Sequence, residues 1–176
     1  MGVCVRVWIT SGIAAIAAGT RAETPWRVRP LADDYVVVCE SHSPSNVYCY
    51  TPGLAVAARG RLVATMDFGG SGWKKGEPRG RIFVSDDRGK SWAQRASFPF
   101  GHARPFVAGA SLYVLGQAGD LMVVRSDDNG ETWSEPARLT DKQHWHQSAC
   151  NVWTANGCVY LVMEWRVTQA IQSWPV

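Results

Sequence analysis

Three polar residues recur at one step in an otherwise apolar pattern. Asp67, Gln117 and Glu164 each lie seven residues beyond a turn residue, respectively Gly60, Ala110 and Gly157. Each ends a β-rich run, so the three are expected at equivalent strand ends. There their carboxyl and amide groups would form a polar rim around one pocket, able to accept, donate or exchange protons. Asp67 leads into Phe68-Gly69-Gly70-Ser71-Gly72-Trp73, a Gly-rich loop that can overhang a pocket. Trp73 would then offer a sugar ring a stacking surface. The starts of the first strands place Thr51, Arg104 and a residue near Ser148 at similar points. Each has a structural alternative: turn-stabilising carboxylates for Asp67 and Glu164, a surface or packing role for Arg104.

Other polar clusters carry less. His144 and His146 flank Trp145 and could bind a metal only if both rings faced one way; a polar loop is the expectation, and no metal site is assigned. Lys74, Lys75, Arg79 and Arg81 read as a solvated loop. His42 and His102 stand alone in the sequence.

These residues must be positioned by short strands. Tyr35 to Cys39, Leu54 to Ala57, Leu62 to Met66, Arg81 to Val84 and Ala93 to Phe98 are β-rich runs separated by turn residues. The pattern repeats through Phe106 to Ala108, Leu112 to Leu115, Leu121 to Arg125 and Glu135 to Leu139. A third round opens with Asn151 to Thr154, the hairpin signal Asn156-Gly157, and Val159 to Met163. No helical period competes. Within the repeat, Ser85-Asp86-Asp87-Arg88-Gly89-Lys90-Ser91-Trp92 recurs as Ser126-Asp127-Asp128-Asn129-Gly130-Glu131-Thr132-Trp133, a period of 41 residues. That length, with four strands per period, predicts propeller blades. Asp87 and Asp128 can accept backbone N–H groups within the turn, Gly89 and Gly130 can take positive φ, and Trp92 and Trp133 can fold back beneath it.

The motif Ser-x-Asp-x-Gly-x-x-Trp resembles the Asp-box, or bacterial neuraminidase repeat, of sialidase-like propellers. The resemblance spans about residues 45 to 165. It implies an all-β fold: a partial β-propeller of four-stranded antiparallel blades, about two and a half of six, from the N-terminal part of a larger protein. In that family the Asp-box turns are structural and lie away from the active site. Tyr50-Thr51-Pro52-Gly53-Leu54 stands where the first blade typically opens with Tyr-Arg-Ile-Pro. Thr51 therefore replaces the first of three arginines that clamp a substrate carboxylate, and Arg104 is the nearest substitute cation. A first-blade Asp is the family's general acid/base, which makes Asp67 the nearest candidate and Glu77 a weaker one; Glu164 is a weak catalytic candidate with the same two readings as Asp67. The tyrosine nucleophile, its Glu partner and two further arginines belong to later blades. The implied function is a sialidase-like exo-glycosidase fragment acting on or binding extracellular glycans and inactive alone. The alternative is a non-catalytic glycan- or protein-binding Asp-box module.

Composition sets the remaining bounds. The 176 residues carry 18 Lys and Arg against 15 Asp and Glu, a balance without the basic stripe of a nucleic-acid binder. Residues 1–22 read as an export signal, with Arg6 ahead of an apolar run from Val7 to Ala18 that is too short to span a bilayer. Residues 23–176 would form the incomplete propeller in a secreted or periplasmic setting. Cys39 with Cys49 and Cys150 with Cys158 are the local disulfide pairings, and four buried thiols the alternative. The expected partner is a carbohydrate, in the sharper reading an acidic sugar. No cofactor, nucleic acid or membrane span is expected. An open strand edge would favour self-association.

Overall fold

The computed structural model describes residues 34–146 and 152–166. Twelve strands follow one another: β1 (Tyr48–Val56), β2 (Leu62–Gly69), β3 (Gly80–Ser85), β4 (Ala93–Phe98), β5 (Gly101–Ala108), β6 (Ser111–Ala118), β7 (Asp120–Ser126), β8 (Ala137–Arg138), β9 (Trp145–His146), β10 (Trp153–Ala155), β11 (Cys158–Tyr160) and β12 (Glu164–Trp165). The strands β1-β2-β3-β4 form one antiparallel sheet and β5-β6-β7-β8 a second, each in sequence order. These are two consecutive propeller blades. Strands β10-β11 and β9-β12 pair as two short ladders of a third unit.

The expected strand at Tyr35 to Cys39 does not form; that segment runs without regular pairing. Val38 and Cys39 of this segment instead cover one face of the first blade, while Tyr35 and Val37 stay exposed. The run from Glu135 to Leu139 pairs only at Ala137–Arg138. The expected signal at 1–22 and Cys150 lie outside the described residues. Among the described residues, no helix is long and apolar enough to cross a membrane.

The alternation of β2 divides the core. Ala64, Met66 and Phe68 point to one face, where they pack with Val47 and Phe83; Val38, Cys39, Cys49, Trp73 and Trp92 close over them. Val63, Thr65 and Asp67 point to the other face and are all but inaccessible. This second face meets the next blade. Val63, Ile82, Val84, Phe98 and Phe100 join Ala103, Leu112, Val114 and Val124 in the larger cluster. Gly53 allows the close approach: a methyl group there would strike Pro105 of the second blade and the Thr65 hydroxyl. The Thr65 hydroxyl donates to the Ala103 carbonyl across the interface at 3.4 Å.

The two Asp-box turns are built alike. The Ser85 hydroxyl donates to Asp87 at 2.8 Å and accepts the Gly89 N–H at 2.8 Å. Asp87 also accepts the Ser91 N–H at 2.9 Å, and the Trp92 indole donates to the Gly89 carbonyl at 3.1 Å. Ser126, Asp128, Gly130, Thr132 and Trp133 repeat every one of these bonds. The glycines take positive φ as expected. So do their predecessors Arg88 and Asn129, at 62° and 63°. The donors hold both aspartates near 2, the Ser91 and Thr132 hydroxyls first among the causes.

Arg61 ties the two turns together. Its guanidinium binds Asp86 of the first turn at 2.6 and 2.7 Å. It also donates to the Asn129 carbonyl of the second at 3.1 Å and pairs with Glu131. Only 13% of the Arg61 side chain is exposed, whereas Asp86 and Glu131 remain largely in solvent. Screening therefore limits the net value of the pairs. Replacing Arg61 with Ala is expected to destabilise the protein by about 1–2 kcal/mol, because the charge-assisted bonds across the interface go with it. Urea denaturation measures this directly, and an unchanged midpoint would mean that the apolar interface alone fixes the blades.

Candidate functional site

Strand register settles which positions are equivalent between blades. Asp67 faces Tyr50 across the β1–β2 ladder, and Gln117 faces Gly101 across β5–β6. Glu164 faces His146 across β9–β12. Asp67, Gln117 and Glu164 therefore occupy corresponding strand ends in three successive units. Both complete blades then slip register. The slip falls between Tyr50 and Gly53 in the first blade and between Gly101 and Arg104 in the second. Thr51 thus corresponds to His102, and Arg104 to Gly53. The expected correspondence of Thr51 with Arg104 is corrected: both first strands carry a bulge, which spacing alone does not locate.

The bulges are what the acidic residue holds. Thr51 and His102 both take left-handed backbone, with φ of 49° and 53°. That region is sparsely populated for a β-branched residue. The Thr51 hydroxyl and the His102 backbone N–H both donate to Asp67 Oδ2. One carboxylate oxygen thereby fixes the bulge of its own blade and that of the next.

The other oxygen, Asp67 Oδ1, is buried and makes no hydrogen bond of good geometry among the described residues, although the Ala103 backbone N–H also bears on this carboxyl. Burial pushes the Asp67 carboxyl up to about 6; the Thr51 hydroxyl, the His102 N–H and the Arg79 charge oppose that rise without cancelling it.

Arg79 stands beside this carboxyl. Its Nη2 donates to the Tyr50 hydroxyl at 3.0 Å, and its guanidinium carbon lies 5.9 Å from the Trp73 ring centre. Its Nε is buried without an acceptor among the described residues. Gly101 leaves the space it occupies, since a methyl group there would come within 2.7 Å of Nε. Aromatic rings then run across three units. Tyr50 and His102 lie 6.2 Å apart, His102 and His146 5.0 Å apart. Burial holds the His102 imidazole below its ordinary value, helped by His146, Arg79 and Arg166.

The expected site residues fall into three groups. Asp67 and Thr51 are in direct contact at the centre. Glu164 lies at the rim, exposed and paired with Arg166 at 2.9 Å and His146 at 3.4 Å; Arg166 first among the causes holds its carboxyl low. Gln117 spends its side-chain oxygen on the Gly119 N–H at 3.1 Å. Arg104 donates to the Pro52 carbonyl of the first blade, a bond between blades. Trp73 does not overhang; it is half-buried against the first blade's outer cluster. Tyr50, Arg79, His102 and His146 belong to the centre although spacing did not single them out. In the sequence Tyr50 stands in the blade-opening stretch, His146 in the His144-Trp145-His146 group and Arg79 in the basic run, but none of these patterns assigns them to the site. Among the described residues, no group of three or more His, Cys, Asp or Glu could hold a metal ion.

Comparison with known proteins agrees with the repeat. The BNR/Asp-box repeat model matches residues 124–135. No curated protein matches the chain. Among solved structures, the chain is similar to an alpha-L-arabinanase from Penicillium chrysogenum complexed with arabinobiose. The two share 16% identity at a TM-score of 0.46, over 66% of this chain and 40% of that one. It is similar to an alpha-L-arabinofuranosidase from Fusarium graminearum, with 14% identity and a TM-score of 0.44, over 65% and 39% of the two chains. A Hadza microbial sialidase shares 22% identity at a TM-score of 0.35, over 51% and 18%. The chain thus spans two fifths or less of the length of these proteins.

The raised Asp67 carboxyl has a measurable consequence. The folded state binds this proton more tightly than the unfolded chain, whose carboxyl titrates near 3.8. Asp67 therefore costs nothing below about pH 4. Its cost grows as pH rises towards 6 and is then constant, at about 3 kcal/mol for a shift of this size. The stability of Asp67→Asn relative to the unaltered chain should thus improve between pH 4 and pH 7, as read by urea denaturation. A difference independent of pH would remove the raised carboxyl. The chain carries the BNR/Asp-box repeat on the four-stranded antiparallel blades of a β-propeller.

Proposed function

We propose that these blades contribute the centre of a propeller that binds glycans and, within the whole protein, hydrolyses a glycosidic bond. One observation carries the reading: a buried carboxyl pushed up to about 6, with one oxygen unpaired, lies where the first strands of successive units converge. A group of that kind can be protonated near neutral pH and can pass its proton to a leaving oxygen. Glu164, held low by Arg166, stays ionised at the corresponding strand end of the third unit. Two carboxyls driven apart in this way suit the division of labour in glycoside hydrolysis, with Asp67 as acid and Glu164 as the charged partner.

The sialidase-like form of this reading takes an acidic sugar, outside the cytoplasm. Arg79, Arg166 and His146 gather cationic or protonatable groups around His102, whose backbone N–H binds Asp67, which favours a ligand that brings its own carboxylate. Thr51 holds the place of an arginine, so Arg79, 5.9 Å from the Trp73 ring, is the cation assigned to that ligand. A specific observation favours the non-catalytic alternative: Asp67 is wholly buried and already fixes two bulges. Under that reading it shapes a binding surface of Tyr50, Arg79 and His102.

Nuclear magnetic resonance titration of the full chain with sialyllactose and with lactose tests the proposal. Sialyllactose should shift the Tyr50 and His102 side-chain signals, lactose much less, and Arg79→Ala should weaken the acidic ligand at least tenfold. Perturbation by neither sugar would overturn the glycan reading. In the whole protein, release of 4-methylumbelliferone from its sialoside, rising below pH 6 and lost in Asp67→Asn, would select the enzyme; binding by the whole protein without release would select the alternative.

A further inference from the structure

The thiols of Cys39 and Cys49 belong to no part of this site, and the fold brings them together. The segment between them closes on itself in steps. Asn46 and Val47 donate their N–H groups to the Ser43 carbonyl at 2.9 and 2.7 Å. Further out, the Ser41 hydroxyl donates to the Val47 carbonyl at 2.6 Å. One step further, Cys39 and Cys49 pack half-buried on the same cluster as Phe68, which faces Cys49 across the β1–β2 ladder. The Cys39 thiol donates to the Glu40 carbonyl at 3.6 Å, and the two thiols lie close enough on that cluster to bear on each other's proton affinity.

We infer that Cys39 and Cys49 form a redox pair, oxidised by a small-molecule disulfide to a bridge that locks residues 39–49 onto the first blade. The Cys39 thiolate attacks one sulfur of oxidised glutathione and releases a glutathione thiol. The Cys49 thiolate then displaces the second glutathione from Cys39. Two thiols lose two protons and two electrons, and one glutathione disulfide becomes two thiols. Burial raises both thiols, Cys49 to about 11, so exchange accelerates as the pH is raised.

The bridge has a consequence at a distance. The Asn46 carbonyl, inside the closed segment, accepts the Gly72 N–H at 2.9 Å. Gly72 belongs to the loop between β2 and β3 that carries Trp73 and Arg79. Oxidation therefore braces the loop that delivers Arg79, whatever ligand the centre takes.

The full chain equilibrated with reduced and oxidised glutathione at pH 8.5, quenched in acid and alkylated, provides the test. Cleavage after Glu40 separates the two cysteines, so their fragments should stay joined until reductant is added. In the oxidised protein, exchange of the Val47 amide should slow by roughly ten- to a hundred-fold, because the closed loop no longer opens freely. Cys49→Ser should abolish both effects while leaving the reduced protein's exchange as it was. Alkylation of both thiols after equilibration, or joining of either to Cys150 or Cys158, would overturn the pairing.

Discussion

One face of one strand organises this molecule. Arg61 stands just before β2, and Val63, Thr65 and Asp67 follow at every second position, so all four are directed at the second blade. A blade is apolar on both faces and must bury both. At this interface the middle is sealed by Val63 and Thr65 against Ala103 and Leu112. The two ends are closed by charge. Arg61 reaches the second Asp-box turn at one end, and Asp67 reaches the second bulge at the other. Slipping β2 by one residue would direct Leu62, Ala64, Met66 and Phe68 at the second blade and leave both charges without partners. The register is thus fixed by polar groups as well as by apolar area.

This arrangement explains what could be read from the sequence. The Asp-box repeat was legible because its bonds are local: Ser85, Asp87, Gly89 and Trp92 satisfy one another within eight residues. The equivalence of Asp67, Gln117 and Glu164 was legible because each lies a fixed number of residues beyond a hairpin turn. The bulges were not. They depend on Asp67 reaching Thr51 and His102 through space, and nothing local to Thr51-Pro52-Gly53 or Gly101-His102-Ala103 forces the register to slip. Without the bulges, spacing alone matches Arg104 with Thr51 and hides His102. Arg79 was hidden for a related reason. It sits in a run of Lys and Arg that looks solvated, and only the missing side chain at Gly101 lets it turn inward.

The absence of a strand at Tyr35 to Cys39 follows from the same geometry. The outer face of β2 needs a cover, and Val38, Cys39 and Val47 supply it as side chains from an irregular segment. β-rich composition at those positions reflects burial against Phe68 and Met66 rather than ladder pairing. This is how a pleated, half-buried surface selects residues without dictating a strand.

The acidic residues of this chain divide by how completely they are satisfied. Asp87 and Asp128 each collect several donors within their turns and are held near 2. A carboxylate so fully bonded has no free lone pair to offer and a proton affinity too low for acid chemistry, so these residues build structure only. Asp67 is different in kind. Its Oδ2 is spent on the fold, yet its Oδ1 is buried and unpaired, and desolvation rather than donors decides its proton affinity. A purely structural aspartate would gain from a well-aligned bond there, because an unpaired buried acceptor costs stability, and the Ala103 N–H that bears on this carboxyl does not supply one. The fold instead places Arg79 close enough to influence the charge but directs its Nη2 to Tyr50. The cost of leaving that oxygen open falls where the bulges of two blades meet, where a bound group able to donate a hydrogen bond would offset it.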